Sequence, residues 1–303
     1  MASSLDSFTN TVESAWQAVS AVDEPASTAL VVITAAIALI LVTVRPLWLK
    51  TRHVITQAHE GSHALVAALV GRKLSGIRLH SDTSGVTVSS GNPRGPGMVA
   101  TAFAGYTGPA VLGFAAATLL TLNRPAAVLW SILAALALLL LLIRNLYGFF
   151  SVVVAGAIVG AAAYLGDPVV RYAAAYLITW VLLLGATRPV FELARTHMRG
   201  RGQGSDADQL RWLTKIPAGV WIVVFGLITA GTAVYGTARV VVTHLLEQLD
   251  VHRHRTDGRP IGALERNRQQ VHKRIREVDR REVRQVLADH AARGSEHVVR
   301  GKL

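Results

Sequence analysis

The chain carries no charged residue between Glu24 and Arg45, and runs of the same kind recur: Gly95 to Asn123, Pro125 to Ile143, Asn145 to Gly166, Val169 to Thr187 with only Arg171 inside it, and Ile216 to Ala238. A hydrocarbon layer of about 30 Å is spanned by a helix of about 20 residues. Inside that layer a helix satisfies every backbone group within its own segment. The pattern therefore predicts an all-α polytopic membrane protein with about six or seven membrane helices. Three regions follow: an acidic N-terminal segment over 1–25, a membrane-embedded domain over 26–243, and a basic, helical C-terminal tail over 244–303. Arg45, Lys50 and Arg52 cluster at the end of the first run, which puts that end in the cytoplasm and the N-terminus outside a cell membrane crossed several times. The first residues lack the basic region of a signal peptide, so no cleavage is expected.

Charge matters only by where it falls. Much of the net +12 lies after Val251, where Ile261 to Ala292 is dense in Arg with Leu264, Val271, Ile275, Val278, Val283 and Leu287 at roughly helical spacing. Asp and Glu are mixed in and no nucleic-acid-binding motif accompanies them, so nucleic acid is not an expected partner. A solvated charged helix is the favoured reading; a helix lying on anionic lipid and a partner-binding coiled coil are the alternatives. The chain has no cysteine, which removes disulfides and thiolate ligands from consideration.

Among the apolar runs stands Ala58-His59-Glu60-Gly61-Ser62-His63-Ala64-Leu65, on a stretch expected to be helical from Val54 to Gly71. It contains H-E-x-x-H. Residues four apart on a helix lie on one face, so His59 and His63 stack as two imidazole ligands for a divalent cation, above all zinc, one per chain. Glu60, about 100° around the helix, reaches a metal-bound water without being a ligand and serves as the catalytic base. Arg72, Lys73 and Arg78 close that helix, and between Leu74 and Ser90 the periodicity changes to two: Ile77 and Leu79, then Val86 and Val88, alternate with polar residues around Ser81-Asp82-Thr83-Ser84-Gly85. A small β-hairpin is expected there. It is either a loop covering the site or an edge strand that holds an extended substrate through Ile77, Leu79, Val86 and Val88.

A zinc site of this kind needs a third protein ligand and an open position. His80, Asp82, Asp167, Glu192, Asp206 and Asp208 are candidates in the body of the chain, and His252 and His254 in the tail. Ser205-Asp206-Ala207-Asp208 opens a helix in either reading, and an Asp there can equally be part of a cap.

The order of H-E-G-S-H-A-L at His59 to Leu65, Gly85-Val86-Thr87, Ala104-Gly105-Tyr106-Thr107-Gly108-Pro109-Ala110, Arg144-Asn145-Leu146-Tyr147-Gly148 and Ser205-Asp206-Ala207 resembles the bacterial B-like branch of the site-2 protease family of intramembrane zinc metallopeptidases. The similarity runs from about Val54 to about Val242. The resemblance implies a multi-helix fold that cuts a peptide bond in or beside the bilayer, with a membrane-protein helix as substrate. It implies His59, His63 and Asp206 as ligands and Glu60 as base. The aspartate stands here in Ser-Asp-Ala, where better-studied members carry Leu-Asp-Gly. A non-catalytic scaffold or regulator of the same fold is the alternative function.

Topology adds a constraint. The motif helix and four further apolar segments separate His59 from Asp206, an odd number of crossings, so one of the five must fail to cross if the two residues are to meet. The motif helix is the expected exception, because its ionisable groups must face protein or water. The basic tail then falls outside, against the positive-inside rule.

Overall fold

The computed structural model describes residues 21–164, 166–200 and 204–256. Most of the acidic N-terminal segment and the basic run Ile261 to Ala292 lie outside the described residues. The chain divides into two units, one ending at His244 and one beginning at Leu245.

Helix α1 (Thr28–Thr43) is capped by Ser27, whose hydroxyl oxygen accepts from Leu30 N at 3.3 Å. Helix α2 (Arg45–Leu69) then leaves at 101° to it. Pro46 explains the break: it has no N–H to give the Val42 carbonyl, and its ring would clash with that group if the helix continued. Arg188 donates to the Val42 carbonyl instead. The same guanidinium lies 4.9 Å over the Trp48 ring, and Glu192 accepts from Trp48 Nε1 at 2.9 Å and pairs with Arg52 at 3.1 Å. The expected first span is thus shorter than a full hydrocarbon thickness and bends directly into the motif helix. Helix α1 has 16 residues, which at about 1.5 Å each falls short of the hydrocarbon thickness. The basic cluster Arg45 to Arg52 belongs to the first turns of the motif helix, not to a loop before it.

Strands β1 (Lys73–Leu79) and β2 (Gly85–Ser90) form the hairpin, antiparallel, with Ile77 opposite Thr87 and Arg78 opposite Val86. Helices α3 (Pro96–Thr121), α4 (Pro125–Leu142), α5 (Leu146–Tyr164) and α6 (Pro168–Gly185) follow, then α7 (Thr187–Met198), α8 (Asp206–Thr214) and α9 (Ala218–Thr256). Among the described residues five spans are long and apolar enough to cross a membrane, or six with the bent pair α1 and α2 counted as one. The all-α polytopic class holds, at the lower end of the expected number. The polar linker expected over Arg188 to Lys215 is instead largely two helices. Val190 and Leu193 of α7, and Ala207 and Leu210 of α8, recur at helical spacing and are buried with Ala218, Ile222 and Phe225. Arg and Gly dominate that stretch in number, but a stripe of four apolar residues is enough to dock two short helices.

Contacts between distant segments identify the two ends of the bundle. Asp23 N donates to Asn123 O at 2.9 Å, the Tyr172 hydroxyl donates to Glu24 O, and Thr28 Oγ1 lies 3.0 Å from His244 Nε2. These residues mark one end. At the other, Arg144 N donates to Ile77 O at 2.9 Å, and Arg188 and Glu192 meet the start of α2. Four candidate spans, beginning at Pro96, Pro125, Leu146 and Pro168, separate α2 from α8. An even number returns the chain to the end it left, which removes the odd count as long as α2 is not itself a crossing.

Candidate metal centre

Helix α2 carries His59 and His63 one turn apart, with their Nε2 atoms 3.1 Å from each other. The Nδ1 of His63 lies 2.7 Å from the carbonyl oxygen of Thr101 on α3. A carbonyl can only accept, so Nδ1 carries the proton and Nε2 presents its lone pair. The His59 ring meets the edge of Tyr106 at 4.9 Å, and Tyr106 in turn stacks on Phe225, which is fully buried.

The third group comes from α8. Ser205 caps that helix in a reciprocal box: its hydroxyl accepts from Asp208 N at 3.3 Å, while Asp208 Oδ2 accepts from Ser205 N at 3.1 Å and from Ser205 Oγ at 2.8 Å. Asp208 is thus used up as a cap. Asp206, the first helical residue, turns inward, and its Oδ2 lies 3.2 Å from the Nε2 of both His59 and His63.

Asp206 Oδ2 is buried and, despite those short distances, makes no well-directed hydrogen bond. Three electron-rich atoms facing one point, one of them an orphaned carboxylate oxygen, are costly unless a cation lies among them. Ligands about 2.0–2.1 Å from a tetrahedral zinc stand about 3.3–3.4 Å apart, close to the observed 3.1–3.2 Å. The residues present fit the metal, and the N,N,O donor set suits zinc while leaving a fourth position open.

Helix α3 passes directly beside this triad because it has glycine there. A Cβ on Gly105 would meet His63 Nε2 and stand 2.6 Å from Asp206 Oδ2, and one on Gly108 would run into the Ser62 side chain. On the other side of α2 the hairpin covers Glu60, which is 4 % exposed. Thr87 Oγ1 donates to Glu60 Oε2 at 2.6 Å, and Thr56 Oγ1 on α2 donates to Thr83 O in the hairpin turn at 2.8 Å.

The other sequence candidates stand elsewhere. His80 and Asp82 are bonded to Ser84 in the exposed hairpin turn, Asp167 caps α6 through Val170 N, and Glu192 is engaged with Trp48, Arg52 and Arg188. His252 and His254 fall in the last turns of α9. The expectation for the hairpin side chains is corrected in part. Ile77 and Leu79 are buried against Ala64, Leu139, Ile143 and Val152, and only Val86 and Val88 are exposed. The reason is that a two-stranded sheet has two faces, and one of them is packed on α2 and α4. Sequence reasoning had no signal for Thr101, whose contribution is a backbone carbonyl. It also missed the Asn145 amide, which donates to Leu79 O at 2.7 Å and accepts from Leu79 N at 3.1 Å, standing where a third strand would.

The model of a protein family described as Peptidase M50B-like matches residues 32–236, which takes in every residue of the triad, the hairpin and all five candidate spans except the end of α9. No curated protein and no solved structure matches the chain.

Proposed function

Because the chain belongs to the Peptidase M50B-like family, we propose that it is a zinc-dependent intramembrane endopeptidase. Its substrate is a peptide bond in or near a transmembrane segment of another membrane protein. The observation that carries the reading is the convergence of His59 Nε2, His63 Nε2 and Asp206 Oδ2, with that oxygen buried and without a hydrogen bond. His59, His63 and Asp206 would hold one zinc, which supplies Lewis acidity and makes water a usable nucleophile at neutral pH. Glu60 takes a proton from the attacking water as its oxygen bonds to the scissile carbonyl carbon. It then returns the proton to the nitrogen as the C–N bond breaks. The hairpin offers a place for the substrate: β1 is covered on its outer side by residues 143–145, whereas no further strand among the described residues pairs with β2. An extended segment adding to β2 would run along the open edge of the strand whose inner face meets Glu60 through Gly85 and Thr87, with Val86 and Val88 on its outer face.

The direct test is metal content of the detergent-solubilised protein. Wild type and Glu60→Gln are expected to hold about one zinc per chain, and His59→Ala and Asp206→Ala to lose it. A wild type that binds no zinc while folded leaves the scaffold reading as the better account. Retention by Asp206→Ala would move the third ligand elsewhere.

Orientation follows from charge. The basic groups of Arg45 to Arg52, Arg72 to Arg94 and Arg188 to Lys215 lie in the segments that flank the triad, and by the positive-inside rule they support a cytoplasmic triad with Glu24 outside. The chain has no native cysteine, so single variants report cleanly. Glu24→Cys is expected to react with a membrane-impermeant maleimide in intact cells, and Arg211→Cys only after permeabilisation. The reverse pattern inverts the topology.

A further inference from the structure

The peptidase reading leaves open what aims the base, and the following inference rests on that reading. Glu60 is 4 % exposed, and among the described residues its carboxylate receives one side-chain hydrogen bond, from Thr87 Oγ1 to Oε2 at 2.6 Å. The same hydroxyl lies 3.1 Å from the Glu60 carbonyl oxygen. Two residues earlier in β2, and so on the same face of the strand, Gly85 lies flat against the carboxyl group. A Cβ there would stand 2.6 Å from Glu60 Cγ and 2.7 Å from Oε1. Thr87 thus grips one oxygen while Gly85 makes room for the other.

The grip is only as good as its mounting, and the mounting is independent of Thr87. Behind β2, strand β1 is sunk into the core through Ile77 and Leu79. Its outer edge is tied by Arg144 N to Ile77 O and by both bonds of the Asn145 amide to Leu79. The turn is tied to α2 by Thr56. Loss of one hydroxyl at Thr87 therefore leaves the hairpin anchored at these other points.

We infer that Thr87 is the positioning residue of the general base: by holding Oε2, its hydroxyl sets the rotation of the Glu60 carboxylate and directs Oε1 to the attacking water. A purely structural Thr87, one more tether of hairpin to α2, would act on stability and on substrate binding but not selectively on the chemical step.

The test uses the full chain, zinc-loaded in detergent, with two probes. One is a quenched fluorescent peptide containing an apolar membrane-spanning segment; the other is a fluorescent leucine hydroxamate, which binds zinc and hydrogen-bonds the adjacent carboxylate. Thr87→Val is expected to lower kcat about 10- to 100-fold with KM and zinc content unchanged, the size expected for a hydrogen bond to a charged group. Hydroxamate affinity should fall in Thr87→Val as it does in Glu60→Gln, and Thr87→Ser should restore both quantities to near wild type. Thr87→Val with wild-type kcat and hydroxamate affinity overturns the inference, as does a loss confined to KM or shared equally by Thr87→Ser. Equal hydroxamate affinity in wild type and Glu60→Gln instead defeats the assignment of Glu60 as base, and with it the peptidase reading itself. A fall in Glu60→Gln that Thr87→Val does not share defeats only the role of Thr87.

Discussion

On the peptidase reading, Gly105→Ala is expected to lower zinc affinity by about 10- to 100-fold, although it adds one methyl group in the middle of an apolar helix. That methyl would meet His63 Nε2 and stand 2.6 Å from Asp206 Oδ2, and real Cβ atoms essentially never approach a non-bonded heavy atom closer than 3.0 Å. Nothing nearby can yield cheaply. His63 is pinned by the Thr101 carbonyl at 2.7 Å, and Asp206 sits in the first turn of a helix locked by its capping box. Helix α3 cannot retreat as a unit, because further along Gly113 packs so closely on α6 that an added Cβ would stand 2.9 Å from Leu183 N. Competition with a chelator, followed by metal analysis, reads the result. Gly156→Ala on α5 is the matched control, since nothing lies within 4 Å of its position, and it should keep full zinc. Wild-type affinity in Gly105→Ala would mean that α3 does not pass the triad as closely as described.

Gly85→Ala should do the opposite: zinc retained, cleavage lowered by about 100- to 1,000-fold, within the range for loss of a positioned general base. Its methyl collides not with rigid backbone but with the Glu60 side chain, 2.6 Å from Cγ and 2.8 Å from Cδ. Every close contact falls on that side chain and none on backbone, so the carboxylate and not the fold gives way. The carboxylate then leaves the position that the proposed role as base requires, while His59, His63 and Asp206 are untouched. The two glycines thus separate the metal from the base, one methyl group apiece. Activity near wild type in Gly85→Ala, with zinc bound, would remove the hairpin from the mechanism.

The site was legible in the sequence in proportion to how local it is. His59, Glu60 and His63 share two turns of one helix, so spacing alone brings them together. Asp206 is different. Nothing in Ser205-Asp206-Ala207-Asp208 says which carboxylate caps and which turns inward, and only resemblance to a family favoured Asp206. The structure distributes the roles physically: Asp208 Oδ2 is occupied by Ser205, which leaves Asp206 facing the histidines. Thr87 and Gly105 were visible as a strand residue and a small helix residue. Their contacts were not, because each meets a partner on another element.

The fold divides along the same line. Uncharged runs specify membrane helices because each such helix satisfies its own backbone, and alternation specifies the hairpin because one face of a strand pair must be buried. These are properties of short segments, and the sequence by itself determined them, together with the H-E-x-x-H pair. Tertiary structure alone decided that α2 turns 101° away from α1, with Arg188 taking the carbonyl the proline cannot serve. It decided that Arg188 to Lys215 packs as two helices, and that four spans return Asp206 to the end that holds α2. Each depends on a partner supplied by a distant part of the chain, and a hydrogen bond or a packed face has no direction until that partner is in place.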